Sequence, residues 1–497
     1  MFSIIDMVHI MSNKHRFTLD DVFNLKSVAV VGVSTEHQLN FAAQFMAYLL
    51  KAGFPSVYAV NPKCKEAFGM PCYPSISSIP GPVDHVVVSI PAAKTLELLD
   101  DCARKGVVSV HFFTAGFRET GEEEGAVLEK AMLEKAQAGG FRIIGPNCTG
   151  LFVPRARFVL SDCLPMTPGP VAFISQSGGN SMDVPFHAGP RGITFSKVVS
   201  YGNALDINEC ELLEYLIDDA ESEIIAIYIE GVRDGRRFYN ILEKASRKKP
   251  VVIYKGGASN AGLRAAQSHT ASMTSSVGIF EAICRQVNAI QVQDIAEMID
   301  VLVALRFARP YPTGRGIAVA GLGGSPSVLA SDQMERLGLH LPPFSPDLHR
   351  KLSKLLPNAG AIFANPLDAS NILQPDIMYQ TMKIMGGSPS IQMMLYHMGL
   401  HPVTRWGDGR FADASFSKPA AAALRKVHEE TNKPVLLVLG PSSNPEGAAE
   451  MFKVQDAFVQ SGLPVFHSLE KAALAMFRVE TWHKRSMANV LKDPKYI

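Results

Sequence analysis

The sequence has few of the features that mark secreted, membrane or metal-binding proteins. Its 497 residues include only seven cysteines and no Cys-x-x-Cys pair, so neither a disulfide framework nor a zinc site is predicted. No apolar run approaches the roughly 20 residues that span a bilayer. The first 13 residues lack the basic region of a signal peptide. These absences predict a cytoplasmic protein that contacts no membrane and binds no metal of its own.

The chain also lacks a charge bias and a P-loop for phosphate binding. Lys and Arg total 48 against 47 Asp and Glu, and no basic stripe is interleaved with aromatics, which excludes nucleic acid as the main partner. The motif Gly-x-x-x-x-Gly-Lys-Ser/Thr, a common loop for binding ATP, is absent. With 47% hydrophobic and 19% charged residues, the chain is typical of a well-buried globular protein of about two to four domains.

Short β-branched or aromatic runs alternate with helical patterns through most of the chain. This alternation predicts βαβ units and parallel sheets. We predict an α/β protein with three doubly wound domains in series, at 1–155 (with 1–20 as a flexible extension), 156–309 and 310–497. The predicted strands are 27–32, 57–60, 85–90, 107–113, 141–144, 171–174, 195–199, 224–229, 250–254, 316–320, 391–397, 434–439 and 464–467.

The first two strands are followed by residues that suit a nucleotide. Gly32 and Ser34 follow the first strand, but the second and third glycines of a dinucleotide fingerprint are missing. Asn61 and Lys63 follow the second strand, where an NAD site requires an acidic residue. The lysine instead favours a ribose that carries a phosphate, as in coenzyme A or NADP, and both ligands stay open at this point. The structural alternative is a pair of turns that only end the strands.

The second domain places an anion site, a carboxylate and a histidine after three of its strands. The turn Ser175–Asn180 supplies hydroxyls and glycine amides at a helix start, which suits an anion. Glu230 ends the strand 224–229, and His269 lies on a loop of small residues after the strand 250–254. An imidazole there could be a general base, a metal ligand or a phosphate carrier. Taken singly, Glu230 would be a solvated charge and His269 a structural histidine. Because the carboxyl ends of parallel strands share one edge, we expect the three groups to converge.

These and further motifs, in this order, resemble the NDP-forming acyl-CoA synthetases, also called ADP-forming acetyl-CoA synthetases, of the succinyl-CoA synthetase superfamily. The similarity runs from about Val22 to Arg478. The motifs that carry it are Ser27–Gly32, Val60–Lys63, Thr114–Glu119, Gly145–Cys148, Ser175–Gly179, Tyr228–Gly231, Ser268–Thr270 and Asn365–Asp368.

The resemblance implies a Rossmann-like CoA-binding domain followed by two succinyl-CoA-synthetase-like flavodoxin-type domains, the arrangement of an alpha-type subunit. The ATP-grasp module, which binds ATP or ADP with Mg, would lie on a separate beta subunit in a hetero-oligomer. In the family, the histidine matching His269 is phosphorylated during turnover, and the glutamate matching Glu230 steadies it. The expected phosphate-binding residues are Ser175, Ser177, Gly178 and Gly179, and the expected CoA-binding residues are Gly32, Ser34, Asn61, Lys63, Pro91 and Asn147.

We therefore predict an acid–thiol ligase that reversibly converts a small carboxylic acid, CoA and ATP into acyl-CoA, ADP and phosphate, through phospho-His269 and an acyl phosphate. Three departures from the usual family pattern, at Thr149, Gly179–Asn180 and Ala271–Met273, remove no reactive group and suggest an acid other than acetate. One alternative is a regulatory protein that binds CoA or acyl-CoA without turnover. The other is an NADP-dependent oxidoreductase using the first domain, which the interrupted glycine pattern disfavours.

Overall fold

The computed structural model describes residues 16–34, 40–159, 161–259, 261–262, 277–321, 324–356, 362–368, 372, 374–398, 414–440 and 445–490. His269 lies outside these ranges, so its predicted role rests on the sequence. The chain forms two compact units, one of residues 1–189 and 194–291 and the other of residues 190–193 and 292–497. The domain boundaries at 155 and 309 stay predictions.

The strands and helices follow one another through the described residues. The strands are β1 (Ser27–Val31), β2 (Ser56–Val60), β3 (Glu66–Ala67), β4 (Met70–Tyr73), β5 (His85–Val88), β6 (Ser109–Phe112), β7 (Arg142–Ile144), β8 (Leu151–Phe152), β9 (Pro168–Ser175), β10 (Phe195–Ser200), β11 (Ile224–Ile229), β12 (Val251–Lys255), β13 (Ile290–Val292), β14 (Ile317–Ala320), β15 (Ile362–Phe363), β16 (Leu367–Asp368), β17 (Met393–Met398), β18 (Val435–Leu439) and β19 (Val465–Phe466). The helices are α1 (Leu19–Phe23), α2 (Phe41–Lys51), α3 (Thr95–Lys105), α4 (Glu123–Gly139), α5 (Gly178–Ala188), α6 (Glu209–Asp218), α7 (Gly235–Lys248), α8 (Val277–Val287), α9 (Ile295–Phe307), α10 (Gly324–Arg336), α11 (Pro346–Leu355), α12 (Pro375–Gly386), α13 (Ala414–Thr431), α14 (Pro445–Gln460) and α15 (Leu469–Val490).

The strands of the described ranges form three sheets, with the orders β3-β4-β2-β1-β5-β6-β7, β13-β12-β11-β9-β10-β8 and β15-β16-β14-β17-β18-β19. The central strands run parallel, so the predicted α/β fold with mostly parallel sheets is confirmed. The pairs β3–β4, β8–β10 and β15–β16 are antiparallel and were outside the prediction. Strands β3, β8, β15 and β16 have two residues each, too few to show a periodic pattern.

The register of the second sheet determines which residues meet at its edge. Ser175 on β9 pairs with Tyr228 on β11, and Ile229 on β11 pairs with Lys255 on β12. The three strands therefore end within about one residue of one another. The segments that follow them, beginning at 176, 230 and 256, leave the sheet at the same edge, which is where parallel sheets bind ligands.

A buried ion cluster joins the first and second sheets within the first unit. Arg142 on β7 is 2% exposed. Its guanidinium donates to the Asp206 carboxylate at 2.9 and 3.2 Å and to the Glu211 carboxylate at 2.9 and 2.7 Å. Asp206 also accepts the backbone N–H of Ile143 at 2.8 Å. Because β7 belongs to the first sheet and Asp206 follows β10 of the second, this cluster holds the two sheets in a defined relation.

Two histidines are buried side by side in the first sheet. His85 on β5 and His111 on β6 lie with their ring centroids 6.1 Å apart, nearly parallel. Burial lowers the pKa of His111 to about 4, and burial together with the charge of His111 holds the pKa of His85 well below its ordinary value. One ring nitrogen of His111 lies 3.0 Å from the carbonyl oxygen of Cys148 and must donate to it. Both rings are therefore neutral at pH 7.

The buried histidines should make the protein sensitive to mild acid. The folded pKa of His111, about 4, is below the ordinary 6.5, so the unfolded chain binds the proton first and stability falls as the pH drops from 6.5 towards 4. Between pH 7.5 and 5, His111 alone should cost about 2 kcal/mol of unfolding free energy. We expect His111→Gln, whose amide can still donate, to lose about 2 kcal/mol less unfolding free energy between these pH values than the wild-type protein. Urea unfolding at both pH values measures the difference. An equal loss in both proteins would contradict the assignment.

Candidate active site

The first unit contains a cleft of about 720 Å³ at the carboxyl-terminal edges of its two sheets. Residues from the first sheet, from the connection to the second sheet, and from the second sheet line it in turn. They are Ser89, Ile90, Pro91, Phe113, Thr114, Ala115, Asn147, Cys148, Thr149, Gln176, Ser177, Gly178, Gly179 and Glu230. The cleft thus brings together six residues that the sequence predicts for phosphate binding, catalysis or CoA binding: Ser177, Gly178, Gly179, Glu230, Pro91 and Asn147.

The turn between β9 and α5 lines this cleft at the start of a helix. Ser177 is the N-cap of α5, and its Oγ accepts the N–H of Asn180 at 3.3 Å. The first N–H groups of a helix have no partner within the helix, and the helix dipole makes them attractive to an anion. Ser175 is fully buried and does not line the cleft. Its Oγ donates to the carbonyl of Ser177 at 2.7 Å and accepts the Ser177 N–H at 3.2 Å, so it shapes the turn from behind.

Glu230 is held at the cleft by side chains from three neighbouring strands. The hydroxyl of Tyr228 donates to its Oε1 at 3.0 Å. The side-chain oxygen of Gln176 accepts the N–H of Glu230 at 2.7 Å and that of Gly231 at 3.1 Å. The Lys255 ammonium donates to the Glu230 carbonyl at 2.7 Å. Gln176 and Lys255 therefore hold the backbone at residue 230, and Tyr228 holds the carboxylate, at a cleft that the start of α5 also lines.

Burial and the charge of Glu230 shift the pKa values of the two groups that contact it. Burial raises the pKa of the Tyr228 phenol above its ordinary value, and the charge of Glu230 raises it further, so the hydroxyl keeps its proton. Burial lowers the pKa of Lys255, and Glu230 acts against that shift. Burial also raises the pKa of the Cys148 thiol, which lines the cleft but has little thiolate character for nucleophilic attack.

The other predicted CoA-binding residues lie at the ends of β1 and β2 and do not line this cleft. Asn61 donates from Nδ2 to the carbonyl of Val33 at 2.7 Å and accepts the N–H of Lys63 at 2.9 Å. The side chain of Asn40 bridges Gly32 and Ser34 by donating to the Gly32 carbonyl and accepting the Ser34 N–H. These contacts shape the two turns, and the Lys63 side chain is exposed beside them.

Gly32 is the glycine on which the first turn depends. Its φ is +98°, and a Cβ there would lie inside the contact distance of the Ser89 carbonyl oxygen, a rigid backbone atom. Gly32→Ala should lower the unfolding free energy by about 1–3 kcal/mol, measured by urea denaturation. Gly69→Ala is the matched control, since Gly69 has a φ of +72° with nothing within 4 Å of its Cβ position. Equal effects of the two substitutions would show that the contact with Ser89 is unimportant.

Sequence reasoning missed three residues of this site, Gln176, Tyr228 and Lys255, and one contact, which Thr149 makes. Gln176 and Tyr228 lie inside quoted motifs, but only the folded chain shows which groups they contact. Thr149, one of the departures from the family pattern, packs with its methyl group 3.3 Å from the Cβ position of Gly178, and its hydroxyl lies 2.6 Å from that of Ser181. The departure therefore lies directly against the start of α5.

The described residues contain neither a metal-binding cluster nor a membrane-spanning helix. Within those ranges, no group of three or more His, Cys, Asp or Glu side chains is arranged to hold a metal ion. None of the helices in the described part of the chain has both the length and the apolar character needed to cross a bilayer.

Known proteins are similar to this chain in both sequence and fold. Residues 26–154 match the family model of a CoA binding domain, and residues 168–305 match that of a succinyl-CoA ligase like flavodoxin domain. The chain is 34% identical over 460 residues to the alpha subunit of ADP-forming acetate–CoA ligase II from Pyrococcus furiosus, covering 92% of this chain and 96% of the relative. It is 32% identical over 480 residues to the alpha subunit of ligase I from the same organism, covering 94% and 98%.

A solved structure of similar length shares the fold. This is the dinucleotide forming acetyl-coenzyme A synthetase 1 of Ca. Korarchaeum cryptofilum, determined in complex with phosphate and ADP. It superposes on this chain with a TM-score of 0.78 at 29% identity, covering 95% of this chain and 98% of that chain.

Proposed function

This chain belongs to the family of ADP-forming acetate–CoA ligase alpha subunits, and from that premise we propose that it catalyses acyl-CoA formation from a carboxylic acid. The overall reaction is carboxylate plus CoA plus ATP to acyl-CoA, ADP and phosphate, and it is reversible. The observation that supports this most is the cleft, where the helix start at Ser177–Gly179 and the carboxylate of Glu230 face residues of the CoA binding domain.

The reaction proceeds through two activated intermediates. His269 attacks the terminal phosphorus of ATP, so an N–P bond forms as the P–O bond to ADP breaks. The carboxylate of the acid then takes the phosphoryl group, breaking the N–P bond and forming an acyl phosphate. The sulfur of CoA attacks the acyl carbon, the C–O bond to phosphate breaks, and the thiol proton passes to phosphate or solvent. Dividing one difficult displacement into such steps is the advantage of covalent catalysis.

The residues in and around the cleft have distinct tasks in this scheme. The N–H groups at the start of α5 bind the phosphoryl oxygens, where the helix dipole favours negative charge. Glu230 accepts an N–H of the incoming imidazole, which orients the ring and raises the nucleophilicity of its other nitrogen. Ser175 keeps the turn in its anion-binding shape. Pro91 and Asn147 contact the thiol end of CoA, while Gly32, Ser34, Asn61 and Lys63 bind its nucleotide.

A second subunit supplies the nucleotide chemistry. The relatives are named alpha subunits, which implies a partner, and this sequence has no P-loop of its own. An ATP-grasp beta subunit holding ATP or ADP with Mg completes the enzyme as a hetero-oligomer. The regulatory and oxidoreductase alternatives are not favoured by these relatives, which are ligases.

A labelling experiment tests the proposal through the reverse half-reactions. The chain is incubated with [³²P]phosphate and a thioester, using acetyl-CoA and benzoyl-CoA as a small and an aromatic probe, with and without the ATP-grasp protein from the same genome. Label that is stable in alkali and lost in acid is expected on the chain, because phosphohistidine has that behaviour. CoA binding without label would instead indicate the regulatory alternative, and tighter binding of NADP than of CoA, measured by calorimetry, the oxidoreductase.

A further inference from the structure

Gln176 stands between two residues of the phosphate turn, and its side chain is anchored at one end only. It is 8% exposed, yet it lines the cleft. Its Oε1 accepts two backbone N–H groups, from Glu230 at 2.7 Å and from Gly231 at 3.1 Å. Its own N–H donates to the Tyr228 carbonyl at 3.1 Å, which extends the pairing of β9 with β11 by one residue. The side chain of Gln176 therefore cannot rotate without breaking two hydrogen bonds, and its backbone is held by a third.

These contacts decide which way the carboxamide is oriented. A backbone N–H can donate only to the oxygen of the amide, so the atom that faces Glu230 and Gly231 must be Oε1 and not Nε2. The NH₂ group is then turned away from the end of β11. Within the described part of the chain it has no hydrogen-bond acceptor, and the surface that Gln176 offers is that of the cleft.

We propose that Gln176 is a catalytic residue whose Nε2 donates a hydrogen bond to an oxygen of the transferring phosphoryl group. The inference rests on the proposed function and adds a side-chain donor to the backbone N–H groups of Gly178 and Gly179. A donor held in place before the reaction stabilises the charge that develops on the oxygens without the cost of reorientation. The two backbone hydrogen bonds to Oε1 provide that fixed orientation.

A purely structural role of Gln176 must be distinguished from hydrogen bonding to the phosphoryl group. Gln176 could serve only to hold Glu230, through its acceptor oxygen. Gln176→Glu separates the two functions, because a carboxylate has nearly the same shape and still accepts the N–H groups of residues 230 and 231. It replaces the NH₂ donor with a negatively charged acceptor facing the phosphate. Gln176→Met is similar in size and removes both functions without adding charge.

The test measures the initial rate of [³²P]phosphoenzyme formation from the acyl-CoA probe that labels the wild-type protein best, together with CoA affinity and thermal unfolding. We expect Gln176→Glu to keep CoA binding and the unfolding temperature but to lose about 10²- to 10³-fold in rate, and Gln176→Met to lose at least as much. Gln137→Glu, at an exposed glutamine on α4, is the control for the added charge and should label at the wild-type rate.

The results of these variants distinguish a failure of the donor role of Gln176 from a failure of the proposed function. A wild-type rate in Gln176→Glu with a reduced rate in Gln176→Met would overturn the donor role and leave Gln176 as a positioning residue for Glu230. Wild-type rates in both variants would exclude either role. If the wild-type protein itself acquires no acid-labile label, the proposed function fails and this inference fails with it.

Discussion

Replacing His269 with asparagine should abolish acyl-CoA synthesis, lowering turnover by about 10⁴-fold or more. Asparagine has a polar side chain of comparable size, but its amide nitrogen is not nucleophilic and cannot form the N–P bond. Without that bond the phosphoryl group of ATP has no carrier that can pass it to the carboxylate. The measurement is thioester formation by the reconstituted enzyme, together with ³²P labelling of the chain.

His187→Asn is the matched control for this experiment. His187 is an exposed histidine on α5, in the same unit, and it does not line the cleft. This variant should be labelled and active like the wild-type protein, and both variants should keep their affinity for CoA. Acid-labile label that persists on the His269→Asn protein would show that another residue carries the phosphoryl group.

Replacing Arg142 with methionine should have the largest effect on stability, a loss of about 3–5 kcal/mol. The guanidinium neutralises two carboxylates whose side chains are only 4% and 30% exposed, those of Asp206 and Glu211. Methionine fills similar space but removes the positive charge that both carboxylates face. Removing one member of a buried ion cluster is costly because the remaining charges stay poorly solvated. Urea unfolding monitored by circular dichroism measures the effect.

Two further variants make this result specific to the buried cluster. Arg247→Met removes an exposed arginine that pairs with Glu243 on α7, and it should change the unfolding free energy little because exposed ion pairs contribute little. The triple variant Arg142→Met, Asp206→Asn, Glu211→Gln should recover much of the lost unfolding free energy, since it also removes the two negative charges that faced Arg142. Equal destabilisation by Arg142→Met and Arg247→Met would rule out the proposed importance of the cluster.

The strands that position the active site follow directly from the amino-acid pattern. β1, β11 and β12 appear in the sequence as short β-branched runs between polar turns, and the structure has them within one or two residues of the predicted bounds. Parallel strands buried on both faces need continuous apolar runs, so their positions are local properties of the chain. The convergence of Glu230 with the turn at Ser177 also follows, since adjacent parallel strands end at one edge.

The hydrogen bonds that make these groups useful depend on contacts between residues far apart in the chain. Gln176 meets Glu230 across 54 positions, and Arg142 meets Asp206 across 64. The depressed pKa of His111 likewise arises from burial beneath other segments. A pattern of residue types contains no information on such partners, which explains why Gln176 was not among the predicted site residues although its motif was.

The sequence by itself determined the α/β class, the family and the order of its motifs, because apolar periodicity and motif spacing are properties of neighbouring residues. Only the tertiary structure decided that Ser175 supports the turn from behind, that Gln176 has a fixed orientation, and that Pro91 and Asn147 share a cleft with Glu230. The reason is physical: the direction of a side chain and the groups around it are set by packing between strands that the chain brings together only when it folds.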